Sequence, residues 1–293
     1  MTTWTRETIA ARAGTAPGPA AEAPAVIYRH SVIVRVTHWI NVLCLTILLM
    51  SGLQIFNAHP ALYWGNISDF AHPQVSMVAE QPQNGPPRGI TTVFGHRFDT
   101  TGVLGLSRDA AGQTLERGFP VWATLPGEQS LAGGRLWHFF FAWLFVINGS
   151  IYLLTSVLGG HVGRDLLPGR EQLRRIGRTI WDHLLFRFPK GEAARRYNVL
   201  QKLAYLAVIF GFLPFMLLTG LSMSPRMDAA WPHLLILFGG RQSARTIHFI
   251  LAWSLVAFVL VHVFMVLVSG VRNNLRSMVT GRYAIGESRD AAE

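Results

Sequence analysis

The chain has 293 residues, half of them hydrophobic and only 14% charged, with a mean hydropathy of +0.30 and a formal net charge of +10. That balance is rare in soluble enzymes and usual in polytopic membrane proteins. A single cysteine, Cys44, excludes an internal disulfide or a thiolate metal cluster, and no base-reading motif accompanies the positive charge.

Residues 1–27 are rich in Ala, Thr and Pro and read as a disordered tail. They lack the short apolar core and small-residue cleavage site of a secretion signal, so the first helix is expected to act as its own insertion signal. Crossing the hydrocarbon core takes about 20 apolar residues. Four runs qualify, predicting spans over about 32–56, 136–158, 203–221 and 246–271, within a membrane domain covering 28–280 and followed by a tail, 281–293. Pro214 should kink the third span.

Between the first two spans lies an outer loop, 57–135, of about 80 residues. Loops of that length are functional or disordered, and Tyr63, Trp64, Phe94, Phe98, Phe119 and Trp122 point to an ordered cap or docking surface. The loop 159–202 carries ten Arg and Lys residues, and Arg272, Arg276, Arg282 and Arg289 follow the last span. Positive charge stays inside, so this loop and both termini are expected on the cytoplasmic face of a bacterial inner membrane. Within the loop, Leu173, Ile176, Ile180 and Leu184 share a helical face, predicting an interfacial helix. The expected fold class is all-α: a four-helix membrane bundle with a long outer loop and one interfacial helix.

Ionisable groups inside a bilayer are costly and mark relays, pathways or cofactor sites. Four histidines qualify: His38, His138, His248 and His262. On the fourth span, His248 and His262 are 14 residues apart, which puts both rings on one face about 21 Å apart along the axis. The topology places His138 with His248 near the outer surface and His38 with His262 near the inner one. Two imidazoles facing across a bundle suit haem iron, so the four histidines would hold two b-type haems. A zinc site would need three or four converging ligands, and each depth offers two.

Three of these histidines have an arginine three residues earlier: Arg35, Arg135 and Arg245. Each lies on the same face, about one turn nearer the surface, where haem propionates would emerge and could be clamped. A lone arginine there can equally be an interfacial anchor. For the inner quinone site the candidates are Asn41, Arg272 and Asn273, although the last two could simply end the helix. His59, His72 and His96 in the outer loop read as solvated or hydrogen-bonded.

Histidines at the start of the first span, in the second, and 14 residues apart in the fourth resemble the bacterial cytochrome b561 and nickel-iron hydrogenase cytochrome b superfamily. The likeness is nearest to cytochrome b subunits of thiosulfate-reductase-like complexes and to the gamma subunit of formate dehydrogenase. "SGLQIFNAHPALYWG" (51–65) is similar to b subunits that accompany periplasmic molybdenum enzymes. The resemblance implies that the four histidines are axial ligands. It also implies an electron-transfer subunit working between membrane quinone and an outer redox partner: a molybdopterin enzyme, a hydrogenase or a cytochrome c. The rival readings are a stand-alone oxidase of a small reductant such as superoxide, and a haem-free helical transporter using the histidines as proton relays.

Overall fold

A computed structural model describes residues 25–160, 163, 167–185 and 199–285. Most of the tail 1–27, much of the basic loop 159–202 and the last eight residues lie outside that set. The order begins with strand β1 (Ala25–Tyr28) and helix α1 (Val32–Phe56), whose first turn is capped by the Ser31 hydroxyl accepting from the Val34 amide. Six strands follow: β2 (Ala61–Leu62), β3 (Val75–Glu80), β4 (Arg88–Val93), β5 (His96–Asp99), β6 (Gly105–Arg108) and β7 (Thr114–Arg117). Helix α2 (Leu131–Leu158) leads to α3 (Arg170–Arg174) and α4 (Ile176–Leu184), where the interfacial helix was predicted.

Helices α5 (Val199–Leu206) and α6 (Leu213–Ser222) form one span joined by a π-helical stretch, Ala207–Phe212. Pro214 has no N–H to donate and its ring crowds the preceding turn, so the expected disturbance takes the form of this widened helix. Short helices α7 (Pro225–Ala230) and α8 (Pro232–Leu237) turn the chain into α9 (Arg241–Val268), followed by α10 (Val271–Thr280) and β8 (Arg282–Ile285).

Among the described residues, the helices α1, α2, α5–α6 and α9 are the four long enough and apolar enough to cross a membrane. Their outer faces carry the large apolar residues: Phe140, Trp143, Leu154, Leu260 and Leu267 are all exposed. Many of their buried positions are instead small or polar, including Thr37, Ser51, Asn148, Thr219 and Ser222, with Leu53, Phe56, Phe141 and Leu255 the large apolar exceptions. In lipid, burying leucine gains nothing over leaving it against acyl chains, so close packing and interhelical hydrogen bonds hold the bundle. Asn148 of α2 illustrates this, donating to the Thr37 carbonyl at 2.9 Å and the Asn41 side-chain oxygen at 2.7 Å, both on α1.

The bundle is two hairpins. Helix α1 packs along α2 and α6 packs along α9, whereas α2 and α9 do not approach closely along their backbones.

The outer loop corrects the all-α expectation. It folds into a four-stranded antiparallel sheet, ordered β2-β3-β4-β5, and a β6-β7 hairpin. Phe94 and Gly95, at φ 48° and 82°, form the two-residue connection between β4 and β5, with Val93 paired to His96. Positive φ at both positions matches the twist of a tight hairpin. Gly89 is needed because β6 crosses so closely that a Cβ there would sit 2.2 Å from the Leu104 carbonyl oxygen.

This cap shares a core with the bundle: Leu53 and Phe56 of α1 pack with Leu62, Met77 and Phe119, and Phe249 of α9 packs against them. Arg117, only 3% exposed, ties the two parts together. It donates to the Gln54 side-chain oxygen of α1 at 2.8 Å, to Thr124 Oγ1 at 2.9 Å and to the Gly127 carbonyl at 2.9 Å. Its partners are neutral, and burial pulls its pKa below the usual arginine range.

The ends also differ from expectation. Residues 25–28, the first three of them in the expected N-terminal tail, pair antiparallel with 282–285 of the expected C-terminal tail, joining the two chain ends at one face of the bundle.

Replacing Arg117 by leucine should leave three buried acceptors unpaired and cost about 2–3 kcal/mol. Thermal unfolding of the detergent-solubilised variant should fall by several degrees; an unchanged transition would mean that the cap does not depend on this guanidinium.

Candidate functional site: four facing histidines

The structure brings the four membrane histidines together in two pairs. His138 on α2 faces His248 on α9 with ring centroids 6.3 Å apart and planes at 61°. His38 on α1 faces His262 on α9 at 6.4 Å and 62°. The first pair lies at the cap end and the second at the end where β1 meets β8.

The outer pair is held by hydroxyls on the partner helix of each hairpin. Ser51 Oγ of α1 lies 3.1 Å from His138 Nδ1, and Thr219 Oγ1 of α6 lies 3.0 Å from His248 Nδ1. Each hydroxyl also donates within its own helix, Ser51 to the Ile47 carbonyl at 2.7 Å and Thr219 to the Phe215 carbonyl at 2.8 Å. A hydroxyl that gives its one proton to the carbonyl can accept from Nδ1, and the Leu48 and Met216 carbonyls, which also stand beside the two rings, can only accept; both favour a protonated Nδ1 and an Nε2 that keeps its lone pair. Gly52 and Gly220, one residue beyond, let the rings lie against the helices: a Cβ at either would be 3.4 Å from the histidine Cε1.

The inner pair is set by packing. His38 meets the edge of Trp39 at 5.5 Å and His262 stacks on Phe258 at 6.0 Å. Neither inner imidazole has a hydrogen-bond partner among the described residues.

Among the described residues no three His, Cys, Asp or Glu side chains converge on one point. A metal between two facing rings would therefore need its other ligands from a cofactor, as iron has in a porphyrin. The separations fit. A metal–imidazole bond is about 2 Å and the ring nitrogen lies about 1.2 Å from its centroid, so two rings on one metal have centroids about 6.4 Å apart. The gap between α2 and α9 provides the slot for the outer pair, and that between α1 and α9 the slot for the inner pair.

The arginines are placed differently. Arg245 donates to the carbonyls of His59 and Ala61 and lies 5.3 Å from the Phe56 ring, fastening the start of the cap to α9. Arg35 donates to the Val279 carbonyl of α10, while its Nε is buried without a partner. Arg135 is exposed and sits 5.5 Å over Phe139. Of the quinone candidates, Asn273 is hydrogen-bonded to both the carbonyl and the amide of Ala284, and Arg272 is exposed. Asn41 accepts from Asn148, and its own Nδ2 has no partner among the described residues.

Ser51, Thr219 and the two glycines were not singled out from sequence. A signal was present. "Arg-x-x-His-Phe-x-x-Ala-Trp" occurs at 135–143 and again at 245–253, and each copy faces a Ser/Thr-Gly-Leu triplet, 51–53 or 219–221. A search for a full-length repeat passes over such a short one.

The outer-loop histidines do not converge. His72 pairs with Asp69 at 3.0 Å in solvent, and His96 is exposed on β5. His59 is half-buried, stacked on Tyr63 at 5.6 Å, and its Nε2 has no partner.

A membrane bundle with two facing histidine pairs has the architecture of a b-type cytochrome. The comparisons agree: the model of the prokaryotic cytochrome b561 family matches residues 29–281, and the chain belongs to that family. Over 252 residues it is 30% identical to a candidate protein-methionine-sulfoxide reductase subunit, YedZ1, of Azospira oryzae, covering 86% of this chain and 96% of that one. Over 182 residues it is 29% identical to a candidate Ni/Fe-hydrogenase B-type cytochrome subunit of Cupriavidus necator, covering 54% and 72%. It is thus a multi-pass membrane protein of a haem b family.

Burial, and then the nearby Arg245 charge, hold His59 below the ordinary histidine pKa. A base depressed in the folded state binds its proton more readily when unfolded, so its contribution is lost as pH falls through about 6.5. Between pH 8 and pH 5 the melting temperature of wild type should therefore drop more than that of His59→Gln. Parallel pH curves would contradict this.

Proposed function

We propose that the chain is a membrane-bound di-haem b-type cytochrome subunit that passes electrons between the quinone pool and a redox protein on the outer side of the bacterial inner membrane. The observation that carries this reading is the pair of histidine separations, 6.3 and 6.4 Å, at two depths of one bundle. On this assignment His138 and His248 hold the outer haem, and His38 and His262 the inner one.

Each bound haem supplies a one-electron ferric/ferrous couple. The protein's own work is to present neutral imidazole nitrogens in opposed pairs, exclude water with an apolar exterior and separate the two levels by about 21 Å along α9. Arg35, Arg135 and Arg245 stand one turn outward from ligand histidines and would offer their remaining N–H groups to propionates. No bond-making step beyond quinone oxidation or reduction is assigned to the chain.

The basic 159–202 loop supports a cytoplasmic location for that loop and both termini, and the β1–β8 pairing is consistent with both ends lying on one side. The quinone is assigned to the inner level between α1 and α10. There Asn41, three residues beyond His38, offers an unused amide, Arg272 lies at the surface, and Asn273 anchors β8.

Both named relatives are subunits, which favours a partner of the molybdopterin, hydrogenase or cytochrome c type over a stand-alone oxidase of superoxide. Membership of a haem b family counts against the haem-free transporter.

His248→Ala should remove the outer haem and spare most of the inner one, and His262→Ala should do the reverse, as read from the spectra of the purified variants. Equal loss of both haems from either change would overturn the pairing. Asn41→Leu should keep both haems yet slow reduction of the cytochrome by a quinol analogue about tenfold. Wild-type kinetics would move the quinone elsewhere.

A further inference from the structure

The outer and inner histidine pairs differ in what stands behind the rings. Behind the outer pair, each Nδ1 lies beside a hydroxyl that also contacts a backbone carbonyl of its own helix, at 3.1 Å for His138 and 3.0 Å for His248, with the Leu48 and Met216 carbonyls beside the same rings. Behind the inner pair there is no such acceptor among the described residues. The Thr37 hydroxyl, next to His38, donates to the Ile33 carbonyl at 2.8 Å and makes no hydrogen bond to either inner ring. The arrangement at the outer level is also duplicated. The short repeat puts Ser51-Gly52 opposite His138 and Thr219-Gly220 opposite His248, so the two hairpins meet there with matched parts.

A hydrogen bond accepted from the far nitrogen of a ligating imidazole fixes its tautomer and makes the near nitrogen more basic. A more basic ligand favours the ferric over the ferrous iron. On the proposed di-haem reading, on which this inference rests, we infer that Ser51 and Thr219 are positioning residues for the outer haem. They lock both axial imidazoles with Nε2 free and lower the potential of that haem alone. The inner haem receives no such contribution, so the two haems are made inequivalent by two hydroxyls that touch neither the cofactor nor the quinone.

The test is a spectroelectrochemical titration of the purified protein with both haems bound. The wave that disappears in His248→Ala identifies the outer haem. In Ser51→Ala and in Thr219→Val that wave should move to more positive potential while the other stays. In the double variant the shift should reach about tenfold in the reduced-to-oxidised ratio, or about 59 mV for one electron. The exchange Ser51→Thr with Thr219→Ser keeps both acceptors and should restore the wild-type wave.

Should the double variant lose the outer haem, the single variants and the exchange carry the same test. Unmoved waves in the variants, or movement of the inner wave instead, would overturn the assignment. A wild-type preparation with fewer than two haems would defeat the di-haem reading itself, and that is seen before any titration begins.

Discussion

Two imidazole rings facing each other inside an apolar bundle, at the separation that one metal between them would require, form an arrangement that protein alone leaves incomplete. At the outer level the surroundings favour one tautomer: the Leu48 and Met216 carbonyls only accept, and Ser51 and Thr219 can accept while donating to their own helices, so a protonated Nδ1 leaves Nε2 with its lone pair. Acceptors facing acceptors repel unless a cation stands between them. The rest of the architecture serves that separation. The hairpins α1–α2 and α6–α9 are each tightly packed, while α9 does not pack along α2 or α1, the helices it faces across the outer and inner pairs.

The cap closes one end of this slot and is joined to it at several points. Arg117 reaches Gln54, one turn beyond Ser51 on α1, and the Gln54 chain lies 3.0 Å from where a Cβ on Gly134 would be, one turn before His138 on α2. Arg245, one turn before His248, holds the carbonyls that begin the cap. The segments that carry the outer ligands therefore also carry the cap. At the other end, Trp39 donates to the Met278 carbonyl at 3.1 Å and Arg35 to that of Val279, so α10 and the β1–β8 pair close over the inner histidines.

Much of this was legible from the chain. Apolar length predicted the four spans, because the bilayer imposes it, and helical geometry predicted the pairing of histidines, because 14 residues return a side chain to the same face. The β cap was not legible. Its strands are four to six residues long, apart from the two-residue β2; the β4–β5 turn uses Phe94-Gly95, and the Asn84-Gly85 pair between β3 and β4 sits in a seven-residue connection with three prolines rather than a two-residue turn. The β1–β8 pair was hidden for a different reason: its partners are separated by nearly the whole sequence. The hydroxyls behind the outer histidines escaped because serine and threonine are common in membrane helices, and only a neighbouring helix reveals what they bind. The arginine spacing correctly marked helix starts, but what Arg245 holds depends on where the outer loop folds back.

The most direct test of the account is a pyridine haemochrome determination on the detergent-purified protein, referred to its concentration. The account predicts two non-covalent b-type haems per chain. One would mean that a facing pair does not bind haem, and none would contradict the account at its root.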